Sequence, residues 1–156
     1  MAKKQRLDKA IAMQGSLSRS EVKTLIRKGA VTVNGQVVKN ADFGVDFDSD
    51  TVAVQGKELS LSMHIYLMLN KPKGVVSASE DKKLPTVVDL VPKELWRKGL
   101  FPAGRLDKDT TGFVLITDDG EFAHDILSPK KHISKTYHAL VNGTITDEMV
   151  EGFAKG

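Results

Sequence analysis

The 156-residue chain carries 23 basic and 20 acidic side chains for a net charge of +3, is 40% hydrophobic and has no cysteine. That is enough apolar material for one or two small buried cores. The empty cysteine column excludes disulfides and thiolate metal sites and fits a reducing, cytoplasmic setting. The basic opening MAKKQRLDKAIAMQ leads into no long apolar run, and no stretch approaches the ~20 apolar residues of a membrane span. Neither a signal peptide nor a membrane anchor is expected.

The charge is unevenly divided. Residues 1–40 hold nine basic side chains against two acids, so this segment carries +7 and the remainder −4. Segregation of this kind indicates a basic module that meets a polyanion, joined to a second unit. A solvated charged surface is the alternative.

In chain order, Leu7, Ala10, Ile11 and Gln14 share a helical face that Gly15 is placed to end. In SRSE, Ser18 and Glu21 have the spacing of a capping box for a second helix. Val22, Leu25 and Ile26 form its apolar stripe, and Gly29 stops it. VTVNGQVV reads as a hairpin turning at Asn34-Gly35, and Thr51 to Val54 as a further strand. KELSLSMH reads as a connector. Beyond it, IYLMLNKPKG predicts a buried strand ending at Lys71-Pro72, and Pro92 and Gly99 bracket a short helix with Leu95 and Trp96. Phe113 to Thr117 predicts a strand. Asp118 or Asp119 then caps a helix with Phe122, Ala123, Ile126 and Leu127 along one side, Pro129 ends it, and SKTYHALV is strand-like.

GRLDKDTTG (104–112) interrupts two apolar segments with charge. Extended-chain alternation turns Leu106 inward and projects Arg105 and Asp107 to the other side. A carboxylate beside an arginine is suited to act as nucleophile or base rather than as acid. An Arg–Asp pair that merely braces the loop fits the same spacing.

RLDKAIA…SRSEVKTLIRKGAVTVNGQVV resembles the small RNA-binding domain named after ribosomal small-subunit protein four. The resemblance implies an RNA face made of Arg6, Lys9, Ser18, Arg19, Lys23, Arg27, Lys28 and Asn34. LNKPKG, GRLDKDTTGFVLITDDG and SPKKHISKTYHALV resemble successive motifs of the pseudouridine synthases that modify ribosomal RNA, and DKDTTG with SPKKHISKTY looks nearest to the small-subunit (16S) rRNA branch. The implied fold is α+β: a helix–helix–hairpin RNA-binding domain (1–58), a linker (59–63), and part of a mixed, mostly antiparallel catalytic domain (64–156).

The implied reaction isomerises uridine to pseudouridine, with no metal or organic cofactor. Asp107 takes the place of the catalytic carboxylate. Arg105 would enter the helix stack vacated by the target base or hold its phosphate, and Tyr137 would stack on the flipped uracil. Lys71 would face the substrate or be a solvated strand end. Lys130 and Lys131 would meet phosphate or belong to a solvated loop. Ribosomal RNA, bare or in an assembling small subunit, is the expected partner of a monomer. In the family the catalytic domain continues past EMVEGFAKG, so a C-terminal part is expected to be missing, and this chain is expected to bind RNA without isomerising it. Two alternatives remain, a catalytically silent RNA-binding protein or fragment and a synthase acting on large-subunit rRNA. His124, His132 and His138 lack the spacing of a metal site. Asp46, Asp48 and Asp50 imitate the opening of a calcium loop, but Thr51 and Lys57 stand where it needs glycine and glutamate.

Overall fold

The computed structural model describes residues 4–15 and 17–156; Lys3, part of the basic segment, lies outside them. Strand β1 (Gln5–Arg6) leads directly into helix α1 (Leu7–Ala12), and helix α2 (Arg19–Arg27) follows. The capping box forms. Ser18 Oγ accepts from the Glu21 N–H, while the Glu21 carboxylate accepts from the Ser18 N–H at 2.8 Å. Strands β2 (Val31–Val33), β3 (Gln36–Val37), β4 (Gly44–Val45), β5 (Val52–Val54) and β6 (Lys57–Leu59) complete the first unit. β4 pairs with β1, and the other four form an antiparallel sheet in the order β3-β2-β5-β6.

Asn34 and Gly35 both take positive φ, 51° and 78°, as a type I′ hairpin requires. Gln55 and Gly56 repeat this geometry at 52° and 79° and connect β5 to β6. The expected connector therefore begins as a strand, because a glutamine gives no turn signal in the sequence. Leu7, Ile11, Val22, Ile26, Val31, Val45 and Val52 are fully buried between the helices and this sheet.

The second unit is built on strands β7 (Tyr66–Lys71), β8 (Phe101–Ala103) and β9 (Gly112–Thr117), antiparallel in the order β7-β9-β8. Register pairs Leu67 with Ile116 and Leu69 with Val114. One face of the sheet thereby closes on Val75, Val87, Val88 and Leu100. The other face is half open, so β7 is not the fully buried strand its sequence predicts: Tyr66 and Met68 are exposed. Helix α3 (Gly120–Leu127) covers part of this face, with Phe122 edge-on to Tyr66 at 5.1 Å between ring centroids. Its cap is Asp119, which accepts from the Phe122 N–H. Helix α4 (Asp147–Lys155) ends the chain with Met149, Val150 and Phe153 exposed. The architecture is α+β with antiparallel sheets.

Two expected elements do not form. Between Pro92 and Gly99 there is only one turn, in which the Leu95 and Trp96 N–H groups both donate to the Pro92 carbonyl. So short a segment cannot repay helix nucleation. Its one buried side chain is Arg97, not Leu95 or Trp96. The SKTYHALV segment forms no strand either. It has β-forming residues, but a strand needs a ladder partner, and residues 134–141 have none among the described residues.

Arg97 joins the two units. Its guanidinium donates to the Ser62 carbonyl at 3.3 Å, the Ser62 Oγ at 2.9 Å, Gln14 Oε1 at 3.2 Å and Asp118 Oδ2 at 3.4 Å. At the same seam Gly15 has φ +88°, and a Cβ there would lie 2.1 Å from the Trp96 carbonyl oxygen. Only glycine permits so close an approach.

Candidate active site and RNA-facing surface

The loop between β8 and β9 carries Arg105 and Asp107, both exposed, with Leu106 turned inward against the second core, as the alternation predicts. The backbone of this loop is held from below. Ser77 Oγ donates to the Leu106 carbonyl at 2.8 Å and accepts from the Leu106 N–H at 3.0 Å. The Gly74 N–H donates to the Lys108 carbonyl at 2.9 Å.

Lys71 supplies the principal tie and corrects both sequence readings of that residue. It is neither substrate-facing nor solvated but fully buried. Its ammonium donates to the carbonyls of Asp107 (2.9 Å), Lys108 (3.0 Å), Thr110 (2.8 Å) and its neighbour Pro72 (3.2 Å). The cause is register. Lys71 shares the inward face of β7 with Leu67 and Leu69, and converging carbonyl dipoles replace the water a buried ammonium loses. Ser77 and Lys71 therefore brace the loop. No ion pair joins Arg105 to Asp107 among the described residues. Among the described residues, neither carboxylate oxygen of Asp107 has an ion-pair partner.

Beside the loop lies a cleft of about 780 Å³, bordered by Arg105, Thr111, Phe113, Leu127 and the Ile133–His138 segment with Tyr137. The fold brings Arg105 and Tyr137 to one cleft. Asp107 sits on the loop at its edge, between the lining residues Leu106 and Thr110. Tyr137 is 69% exposed, which leaves its ring accessible to a base. Lys130 is exposed, whereas Lys131 is engaged by Asp125 at 3.2 Å.

In the first unit, three of the expected RNA-facing cations converge on one buried acid that no motif in the sequence singles out. Asp8 receives a fork from Arg6 (both bonds 3.2 Å) and a 2.8 Å bond from Arg19, with the Lys23 ammonium at 3.8 Å. Burial opposes its ionisation, but the hydrogen bonds and charges of Arg6 and Arg19 outweigh that and hold its carboxyl below the ordinary 3.8. Arg6 also reaches Asp42. Lys9, Arg27 and Lys28 are exposed; the Arg27 Nε–H donates to the Lys23 carbonyl one turn back.

Two of the expected contact residues, both exposed, also make local hydrogen bonds. The Ser18 hydroxyl is used by Glu21 at 2.6 Å. Asn34 is a strut, its amide donating to Asp50 at 2.8 Å and accepting from the Thr51 N–H at 2.9 Å. Both side chains are occupied in holding turns. The Asp46–Asp50 segment is likewise a self-bonded turn.

A small basic helix–hairpin unit is thus fastened to an antiparallel α+β domain whose β8–β9 loop presents an outward aspartate. The chain belongs to the RNA pseudouridylate synthase family, whose model matches residues 65–154. The S4 domain model matches residues 5–52. It is 48% identical to an uncharacterized RNA pseudouridine synthase of Bacillus subtilis, over 97% of this chain and 63% of that protein. It is 44% identical to ribosomal small subunit pseudouridine synthase A of Escherichia coli, over 97% of this chain and 65% of that protein. Ribosomal large subunit pseudouridine synthase B of B. subtilis is 40% identical over 97% of this chain and 62% of that protein. The chain thus spans less than two thirds of the length of these relatives.

Proposed function

We propose that this chain forms the targeting module and catalytic core of a pseudouridine synthase that acts on ribosomal RNA in the cytoplasm, with 16S rRNA of the small subunit as substrate. Residues 1–58 form the basic module, 59–63 the linker and 64–156 the catalytic unit. Identity to small subunit pseudouridine synthase A supports the 16S assignment, being higher than that to the large-subunit enzyme.

The reaction breaks the bond from ribose C1′ to uracil N1, turns the base, and joins C5 to the same sugar carbon, with loss of the C5 proton and gain of one at N1. A base inside a helix is out of reach, so it must first be extruded, at a cost of a few kcal/mol. Tyr137 offers a stacking plane that offsets part of this. Arg105 fills the vacated place or holds the phosphate. Asp107 acts on the sugar, as nucleophile or as base. The observation that carries this reading is the presentation of Asp107: its side chain is free while the carbonyls of its own residue and of Lys108 and Thr110 are held by a buried ammonium. Preorganisation of this kind fixes a reacting group without using its own oxygens.

In the protein that carries this chain, Asp107→Asn should abolish tritium release from C5-labelled uridine in 16S transcripts and leave RNA affinity within about twofold. Mutant turnover near the wild-type rate would end the assignment. One observation favours a second reading, RNA binding without turnover: Asp107 has no cation within ion-pair distance among the described residues. Tight binding with no tritium release from the unmutated protein would establish it.

A further inference from the structure

Away from Asp107, the seam between the two units opens into a groove of about 720 Å³. One wall comes from α1, the segment after it and the first residue of α2, with Lys9, Met13 and Arg19. The other comes from the single turn after Pro92, with Trp96 and Lys98. Three of these five side chains are cationic, and Arg19, which also binds Asp8 at 2.8 Å, stays half-exposed. The one acid on the lining, Asp118, is engaged by Arg97 at 3.4 Å and accepts from the Ile65 N–H at 2.9 Å. Trp96 is 45% exposed, on a turn whose next residue is the buried Arg97 and whose own carbonyl lies against Gly15. The indole is therefore held open by a fastened backbone. An exposed large aromatic on a fixed wall, flanked by cations, has the chemistry of a platform for an unpaired base with its phosphates neutralised on either side.

We propose that this groove is a second RNA subsite, which takes a single-stranded segment flanking the target, with one base stacked on Trp96 and the backbone held by Lys9, Arg19 and Lys98. The occupant is single-stranded because only an unstacked base presents its face to an indole. Walls drawn from both units make the subsite a ruler between the basic module and the loop of Asp107. The proposal rests on the reading of the chain as RNA-binding.

Trp96 is the sole tryptophan, so its emission reports on the groove alone. Titration with a short single-stranded oligouridylate should quench that emission in step with binding followed by anisotropy of end-labelled RNA. Heparin, a polyanion without bases, should compete for binding without comparable quenching. Trp96→Ala should weaken binding by roughly 5- to 150-fold, the range of one base–aromatic stack, and Trp96→Phe should restore most of it. Lys98→Gln, at an exposed position, should lower the slope of log affinity against log salt by about 0.7.

RNA binding with unchanged emission, and with no response to Trp96→Ala or Lys98→Gln, would overturn the subsite while leaving the RNA-binding reading intact. No anisotropy change with the unmutated protein would remove both. An emission change that follows protein concentration without RNA would make the groove an interface between two copies of the chain and overturn the proposal.

Discussion

Lys71→Met removes the ammonium beneath the Asp107 loop and keeps the length of the side chain. Three loop carbonyls lose a charged donor at 2.8–3.0 Å. At about 1.5 kcal/mol each, the lower end for bonds to charged groups, the gross loss is ~4–5 kcal/mol. A buried methionine returns about 2 kcal/mol through apolar burial. The net destabilisation is then about 2–3 kcal/mol, a fall in Tm of roughly 5–10 °C for a chain of this size. The loss should be concentrated where the ammonium acted. Hydrogen exchange at the Gly74 and Thr110 amides, which donate to the Lys108 and Asp107 carbonyls, should accelerate by roughly 30- to 150-fold. Tryptic cleavage after Arg105 and Lys108 should speed up in parallel. Protection of those two amides at the unmutated level, with an unchanged Tm, would refute the claim that Lys71 holds the loop.

Asp8→Asn tests the buried acid. Because the folded carboxyl titrates below its ordinary 3.8, its stabilisation is fully present above that value and is lost as pH falls through the lowered one. Thermal melts should show an acid-side decline in the unmutated protein that flattens in the variant; parallel pH profiles would count against the shared-anion arrangement. Gly15→Ala should cost about 2–4 kcal/mol, since it adds a Cβ 2.1 Å from the Trp96 carbonyl oxygen at φ +88°. A lower Tm with a shift in Trp96 emission would register the strained seam, and identical curves would refute it. Replacing Arg19, Lys23 and Arg27 together with Gln should weaken binding uniformly across RNA sequences and lower the salt slope by about 0.7–0.9 for each phosphate no longer neutralised. An unchanged slope would make the patch a solvated face.

Features whose chemistry is local are legible in the sequence. Ser18 and Glu21 lie three residues apart and find each other within one helical turn. Asn34-Gly35 needs no distant partner to turn a hairpin. The outward projection of Asp107 likewise follows from alternation about Leu106. What the sequence hides is non-local. The carbonyls that bind Lys71 lie 36, 37 and 39 residues away, although its parity with Leu67 and Leu69 already places it on the inward face. Arg97 stands 83 residues from Gln14, and no spacing announces that contact. Nothing in the sequence beyond its capping box and hairpin turn shows that the exposed side chains of Ser18 and Asn34 also bond Glu21 and Asp50. SKTYHALV has strand propensity, but propensity supplies no hydrogen-bond partner.

The tie beneath the Asp107 loop reads carbonyl oxygens, and every residue type carries one. Lys108 can therefore be exchanged for many other residues without altering what the Lys71 ammonium binds, and the exposed side chain of Asp109 is outside the tie altogether. The path of the loop and its outward-facing chemistry are then separately mutable. New side chains can be tried at these two positions against new RNA contexts while the aspartate between them and Leu106 keeps its place.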